Sequence, residues 1–108
     1  MCGIAGILSR RPVGALLLER MAACLAHRGP DDQGQYSDPE AGIGFAHRRL
    51  AIVDLSPFGH QPMASQSGRF ILCFNGEIYN HAALRVELDQ RGATNWRGHS
   101  DTETLVEA

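Results

Sequence analysis

A cysteine stands at position 2, directly behind Met1, and is followed by Gly3, Gly6 and an apolar run. Aminopeptidases remove an initiator methionine when the second residue is small, a condition that Cys2 meets. Removal gives Cys2 a free α-amine beside its own thiol. Reference pKa values are about 7.7 to 8.0 for an α-amine and about 8.5 for a thiol, so such a pair is poised for proton exchange near neutral pH. One residue then supplies both nucleophile and general base, as an N-terminal threonine does with its hydroxyl.

An acyl-transfer nucleophile also needs hydrogen-bond donors for the oxyanion that develops. Asn75 and Gly76 offer a carboxamide and an unobstructed backbone N–H that can converge on one oxygen. The same dipeptide is also the commonest tight hairpin turn. Arg49 can grip a carboxylate through two parallel hydrogen bonds, or serve as an ordinary solvated charge on a strand. Asp101 can pair with an ammonium group, or favour the start of a helix through the helix dipole. Each residue alone has an ordinary reading. Together, a thiol, an amide donor, a guanidinium and a carboxylate describe a pocket for an amino acid with a side-chain amide.

Other chemistries are excluded by composition. All ten basic residues are Arg, so a GxxxxGK phosphate loop, a Schiff-base lysine and a lysine general base are ruled out within this chain. If ATP is used, its site lies elsewhere. Cys2, Cys24 and Cys73 form an odd set without CxxC spacing, which argues against a disulfide framework and a thiolate zinc site. That pattern suits a reducing cytosol. His27, His47, His60, His81 and His99 have no metal-ligand spacing, so no metal is expected; His27 and His47 are expected to pin loops by hydrogen bonding. A net charge of -2 and a pI near 6.2 supply no basic field for nucleic acid or an anionic membrane. The early sequence is broken by Arg10, Arg11, Pro12, Glu19 and Arg20, so no signal peptide or membrane span is expected and a cytoplasmic protein is the reading.

The elements that must position these residues can be read in outline. At 108 residues and 44% hydrophobic, the chain can form one modest core. Gly3 to Ser9 reads as a buried strand. Gly14 to Ala26 reads as a helix with Leu17, Met21, Cys24 and Leu25 on its buried face, which puts Cys24 in the core. His27 to Gly34 is turn-rich and cannot continue that helix past Pro30. Three strand-like pieces follow, GQYSD, AGIGFAH and RRLAIVD, then a loop from Ser56 to Gly68. Arg69 to Asn75 reads as a strand ended by the Asn75-Gly76 turn, with EIYN resuming it. AALRVELDQR reads as a helix capped by Asn80 and stopped at Gly92. Ser100 and Glu103 have capping-box spacing at the head of a last helix. That helix meets no stop signal before Ala108, so a longer polypeptide is expected.

Six blocks in order, MCGIAGI, HRGPDDQG, AHRRLAIVDLS, GHQPM, FNGEIYNH and SDTET, resemble the glutaminase domain of class II glutamine amidotransferases, and the asparagine synthetase branch most of all. The resemblance implies an α+β fold of the N-terminal nucleophile hydrolase type: an αββα sandwich of two antiparallel sheets, of which residues 1–108 are the N-terminal part. It implies that Cys2 attacks the side-chain amide of L-glutamine and that Asn75 and Gly76 form the oxyanion hole. Arg49 would hold the substrate carboxylate, Glu77 and Asp101 its α-amine, and Leu50, Ala51, Ile52 and Val53 a wall of the pocket. The domain itself needs no cofactor. Ammonia passes to a C-terminal synthetase domain of the same polypeptide, absent here, which uses ATP and magnesium to activate aspartate; a homodimer is compatible with the family. No SGGxDS-like loop is found in these residues. Arg48 departs from the acidic or other polar residue common before the carboxylate-binding arginine, and GHQPM is given no catalytic role. Two alternatives stand beside this reading: the same glutaminase serving another acceptor, and a non-catalytic module using the fold as an interaction surface.

Overall fold

The computed structural model describes residues 1–52, 54–92 and 95–108. Its elements are β1 (Gly3–Leu8), α1 (Ala15–Cys24), β2 (Asp32–Asp38), β3 (Ile43–Arg49), a 3₁₀ turn at Pro57–Gly59, β4 (Met63–Ala64), β5 (Ile71–Leu72), α2 (His81–Gln90) and α3 (Asp101–Glu107). β3 is the centre of a three-stranded antiparallel sheet ordered β1-β3-β2. Gly3 lies opposite Arg48 and Leu8 opposite Ile43, while Asp32 lies opposite Arg49.

Residues directly opposite each other share a face of the sheet, and faces alternate along each strand. One face carries Ile7, Gly44 and Ala46 and is covered by α1, whose Leu18 reaches Gly44 together with Val13. Val13, Leu18, Ala22 and Ala46 are buried there. The opposite face carries His47 and Arg49, and extending the register by one residue brings Cys2 opposite Arg49. Ile4 and Leu8, also on this face, are exposed.

Cys24 is exposed, which corrects its expected place in the core. The stripe that α1 buries is Leu18 and Ala22, with Leu17 left 43% exposed. Three successive leucines, Leu16 to Leu18, permit either stripe. The small Ala22, one turn after Leu18, lets the helix lie close to the sheet and decides between them.

RRLAIVD also behaves differently from the expected strand. β3 stops at Arg49 because the next two backbone N–H groups leave the ladder: Leu50 donates to Cys2 Sγ at 3.3 Å and Ala51 to Asp31 Oδ2 at 2.8 Å. Likewise, only Ile71–Leu72 of the expected strand Arg69 to Asn75 is paired, with Met63–Ala64. Phe74 gives its N–H to Gln61 Oε1 and its carbonyl to His47 instead of to a neighbouring strand. Asn75-Gly76 is therefore not a hairpin turn. EIYN does not resume a strand, since Ile78 N–H is taken by Asp101 and Tyr79-Asn80 form a turn.

Asn80 does occupy the N-cap position of α2, without a side-chain capping bond, and Gly92 with φ +69° follows its end. At α3, Ser100 Oγ accepts the Glu103 N–H at 3.1 Å. The reciprocal half of the capping box is absent: the Glu103 carboxylate accepts from the N–H groups of Arg97 and Gly98 at 2.7 and 3.0 Å. Arg85 of α2 completes the cluster, bonding Glu103 at 3.1 Å and stacking on the Trp96 ring at 4.0 Å. Burial alone would push the Glu103 carboxyl up, but those N–H groups and the two guanidiniums hold it below the ordinary carboxylate range. α3 thus docks onto α2 and against β4 and β5. α1 covers one face of the first sheet, and α3, packed on α2, lies against the second: an α+β architecture with two small antiparallel sheets. No helix among the described residues is long and apolar enough to cross a membrane.

Candidate active site

A cleft of about 330 Å³ opens where the end of the first sheet meets the start of α3. Cys2, Arg49, Asn75, Gly76, Glu77 and Asp101 all line it. Of the expected pocket wall, Leu50 and Ile52 are present. Ala51 does not line the cleft and directs its N–H to Asp31, while Val53 lies outside the described residues.

Cys2 is half-buried, with its sulfur against the end of β3: it accepts the Leu50 N–H at 3.3 Å and lies 3.6 Å from the Leu50 carbonyl. Cys73, the other thiol in its neighbourhood, is pushed up to about 11, first by burial and then by Cys2. Cys73 is consequently a neutral thiol at neutral pH and a poor nucleophile. Met1, exposed, sits at the mouth of the cleft.

Arg49 is buried and held by its own chain, donating through Nη1 to the Ser56 carbonyl at 2.8 Å and through Nη2 to the Asp54 carbonyl. The guanidinium lies flat on Gly59, where a Cβ would overlap it, so only glycine leaves room for the arginine in this place. A planar fork of five donors can be braced in this way and still present an edge to a carboxylate.

Asn75 and Gly76 are exposed to the cleft, and the peptide units before them are gripped from both sides. Gln61 Oε1 accepts the Phe74 N–H at 2.6 Å, and His47 Nε2 donates to the Phe74 carbonyl at 3.3 Å. Gln61 is itself buried and donates to Thr102 Oγ1 of α3 at 3.3 Å. His47 is fully buried, and desolvation lowers its pKa despite the Phe74 carbonyl and the charge of Asp32. It is therefore the neutral imidazole, with the proton on Nε2 and a buried Nδ1 that has no partner among the described residues. The expectation that His47 pins a loop is met.

Asp101, in the first turn of α3, is buried and accepts the Ile78 N–H at 2.8 Å. It therefore ties the segment behind Asn75-Gly76-Glu77 to the helix. Its remaining acceptor capacity, and the exposed Glu77, are placed to receive a cation in the cleft. Three further residues hold this arrangement: Gln61, Asp54 and Glu103. Gln61 lies in GHQPM and Asp54 in AHRRLAIVDLS, but the contacts that matter, to Phe74 and Thr102 and to His99, are far along the chain and leave no periodic signal. Glu103 carries only a capping-box signal in its spacing from Ser100.

One cleft thus combines a thiol, a backbone-braced amide donor, a guanidinium and carboxylates. Comparison with known proteins points the same way. A family model described as a glutamine amidotransferase domain matches residues 1–108. The chain is similar to asparagine synthetase [glutamine-hydrolyzing] 1 of Bacillus subtilis (strain 168), 39% identical over 98% of this chain and 17% of that protein. It is similar to asparagine synthetase B [glutamine-hydrolyzing] of Escherichia coli (strain K12), 39% identical over 98% of this chain and 19% of that protein. It is also similar to amidase chry2 of Gibberella zeae, 33% identical over 98% of this chain and 17% of that protein. The chain spans less than a fifth of the length of each of these three.

Proposed function

The chain belongs to the glutamine amidotransferase domain family, and from that membership we propose that it is the glutamine-hydrolysing part of an asparagine synthetase. Matured Cys2 attacks the carbonyl carbon of the glutamine side-chain amide, its thiol proton passing to its own α-amine. Asn75 and Gly76 N–H receive the negative charge on the carbonyl oxygen. Collapse of the tetrahedral adduct breaks the C–N bond, the amine returns the proton to the leaving nitrogen, and ammonia departs from a thioester on Cys2. Water then releases glutamate by the same route in reverse. Arg49 holds the α-carboxylate, and Asp101 with Glu77 holds the α-ammonium.

The observation that carries this reading is the convergence of Cys2, Asn75, Gly76, Arg49 and Asp101 on one cleft from four separate parts of the chain. Ammonia then serves a synthetase domain of the same polypeptide, where ATP and magnesium activate aspartate. These residues offer neither a lysine nor a phosphate loop for that nucleotide. A free, reactive thiol belongs in a reducing compartment, so we place the protein in the cytoplasm.

A second acceptor is favoured by one observation: the similarity extends to a protein called an amidase. Glutamine labelled with ¹⁵N in its amide separates the two readings. Supplied to the full-length protein with ATP, magnesium and aspartate, the label is expected in the side-chain amide of asparagine. Label found as ammonia alone, with aspartate unconsumed, points to the other acceptor. No release of label at all contradicts the glutaminase.

A further inference from the structure

An amino-acid substrate carries its carboxylate and ammonium on one carbon, so the groups that bind them must be held at a fixed separation. Arg49 ends β3 and Asp101 begins α3, more than fifty residues away in sequence. Something must tie the two elements together. Building on the glutaminase reading, we propose that Asp54 is the positioning residue that couples the two ends of the substrate's head group. It does so by bracing Arg49 and the lead-in to Asp101 at once.

The contacts form a closed ring. On one side, the main-chain oxygen of Asp54 accepts from Arg49 Nη2, and its Oδ1 accepts the Ser56 N–H at 2.8 Å. The Ser56 carbonyl in turn accepts from Arg49 Nη1 at 2.8 Å. On the other side, Asp54 Oδ2 accepts the His99 N–H at 2.9 Å, immediately before the N-cap Ser100 and Asp101. Contact is close enough there that a Cβ on Gly98 would come within 2.8 Å of Asp54 Oδ2 and 2.7 Å of Phe58 Cβ. Asp54 is 6% exposed. A buried carboxylate is costly without donors, and burial does push Asp54 up. The Ser56 hydroxyl, the His99 and Ser56 N–H groups and the Arg49 charge outweigh it and keep the group ionised. The Glu103 carboxylate of α3, joined by Arg85 of α2, also holds the N–H groups of Arg97 and Gly98, but it makes no contact with Arg49 or Asp54 among the described residues. Asp54 bonds both Arg49 and the His99 segment directly.

A brace of this kind sets specificity for the intact head group, which makes it separable from a general structural role. Three amides serve as probes in the full-length protein: glutamine, glutaramate, which lacks the α-amine, and γ-aminobutyramide, which lacks the carboxylate. In Asp54→Ala, kcat/KM for glutamine is expected to fall on the order of 10- to 100-fold, mainly through KM, because the two binding ends lose register. The truncated amides already use only one end, so their kcat/KM is expected to fall by less than about threefold. Gly98→Ala leaves Asp54 intact but forces the His99 segment away from it, and is expected to show the same loss of discrimination. An equal fall for all three amides in Gly98→Ala, or an undiminished preference for glutamine in either variant, overturns the role of Asp54. Wild-type protein that hydrolyses none of the three overturns the glutaminase reading first, before any variant is compared.

Discussion

Cys2→Ala is expected to abolish glutamine-driven turnover in the full-length protein while activity driven by added ammonia continues at the wild-type rate. Loss of a nucleophile typically costs on the order of 10⁴- to 10⁶-fold, so glutamine-dependent product should fall to background. The sulfur is the only part of Cys2 that the substitution removes. Gly3 and the β1–β3 register are backbone features that alanine preserves, and the Leu50 N–H that donates to sulfur is only part-buried and can turn to water. Steady-state rates with each nitrogen source check the division. If both activities fall together, the hydrolysis of glutamine and the use of ammonia are not separate functions of separate domains.

The second large effect concerns Asn75. Removing one oxyanion donor typically costs about 2.7 to 4 kcal/mol in the barrier, on the order of 10²- to 10³-fold in kcat. Asn75→Ala is expected to lower kcat on that scale with little change in KM, since negative charge reaches the carbonyl oxygen only as the transition state forms. The local structure favours a clean result. Phe74 is fixed through its N–H by Gln61 and through its carbonyl by His47, so the backbone at Gly76 keeps its place when the carboxamide is lost. A rise in KM at constant kcat would assign Asn75 to ground-state binding instead.

Much of the architecture was legible because it follows from local pattern. GIAGILS is a strand stopped by Arg10-Arg11-Pro12, and the helices over Ala15–Cys24, His81–Gln90 and Asp101–Glu107 lie where periodicity and turn residues put them. Boundaries failed where side chains replaced ladder partners. β3 ends early because a thiol and a carboxylate capture the N–H groups of Leu50 and Ala51. The strand before Asn75 shortens because Gln61 and His47 take both polar groups of Phe74. These captures are long-range and carry no sequence period, yet they are what turn Asn75 and Gly76 toward the cleft.

The buried stripe of α1 differs from the one the leucines suggest for a different reason. Its buried stripe is chosen by Ala22, and a small residue gives a weak hydrophobic signal beside Leu17 and Met21. At the site, chemistry was more legible than support. Cys2, Arg49, Asn75, Gly76, Glu77 and Asp101 were named from residue type and from resemblance, and they meet at one cleft. Asp54, at the end of the strand-like RRLAIVD, and Gln61, in the Ser56–Gly68 loop, brace Arg49 and Asn75 through backbone hydrogen bonds and carry no sequence signal of that role.

The central claim is that Cys2 acts with its own free amine, and one mass measurement addresses it directly. Intact mass is recorded on active, full-length protein before and after inactivation by a glutamine analogue bearing an electrophilic diazoketone, and the modified peptide is then sequenced. The account predicts a starting mass without Met1 and a single adduct, located on Cys2. Fully active protein that retains Met1, or an inactivating adduct on Cys73 instead, would contradict it.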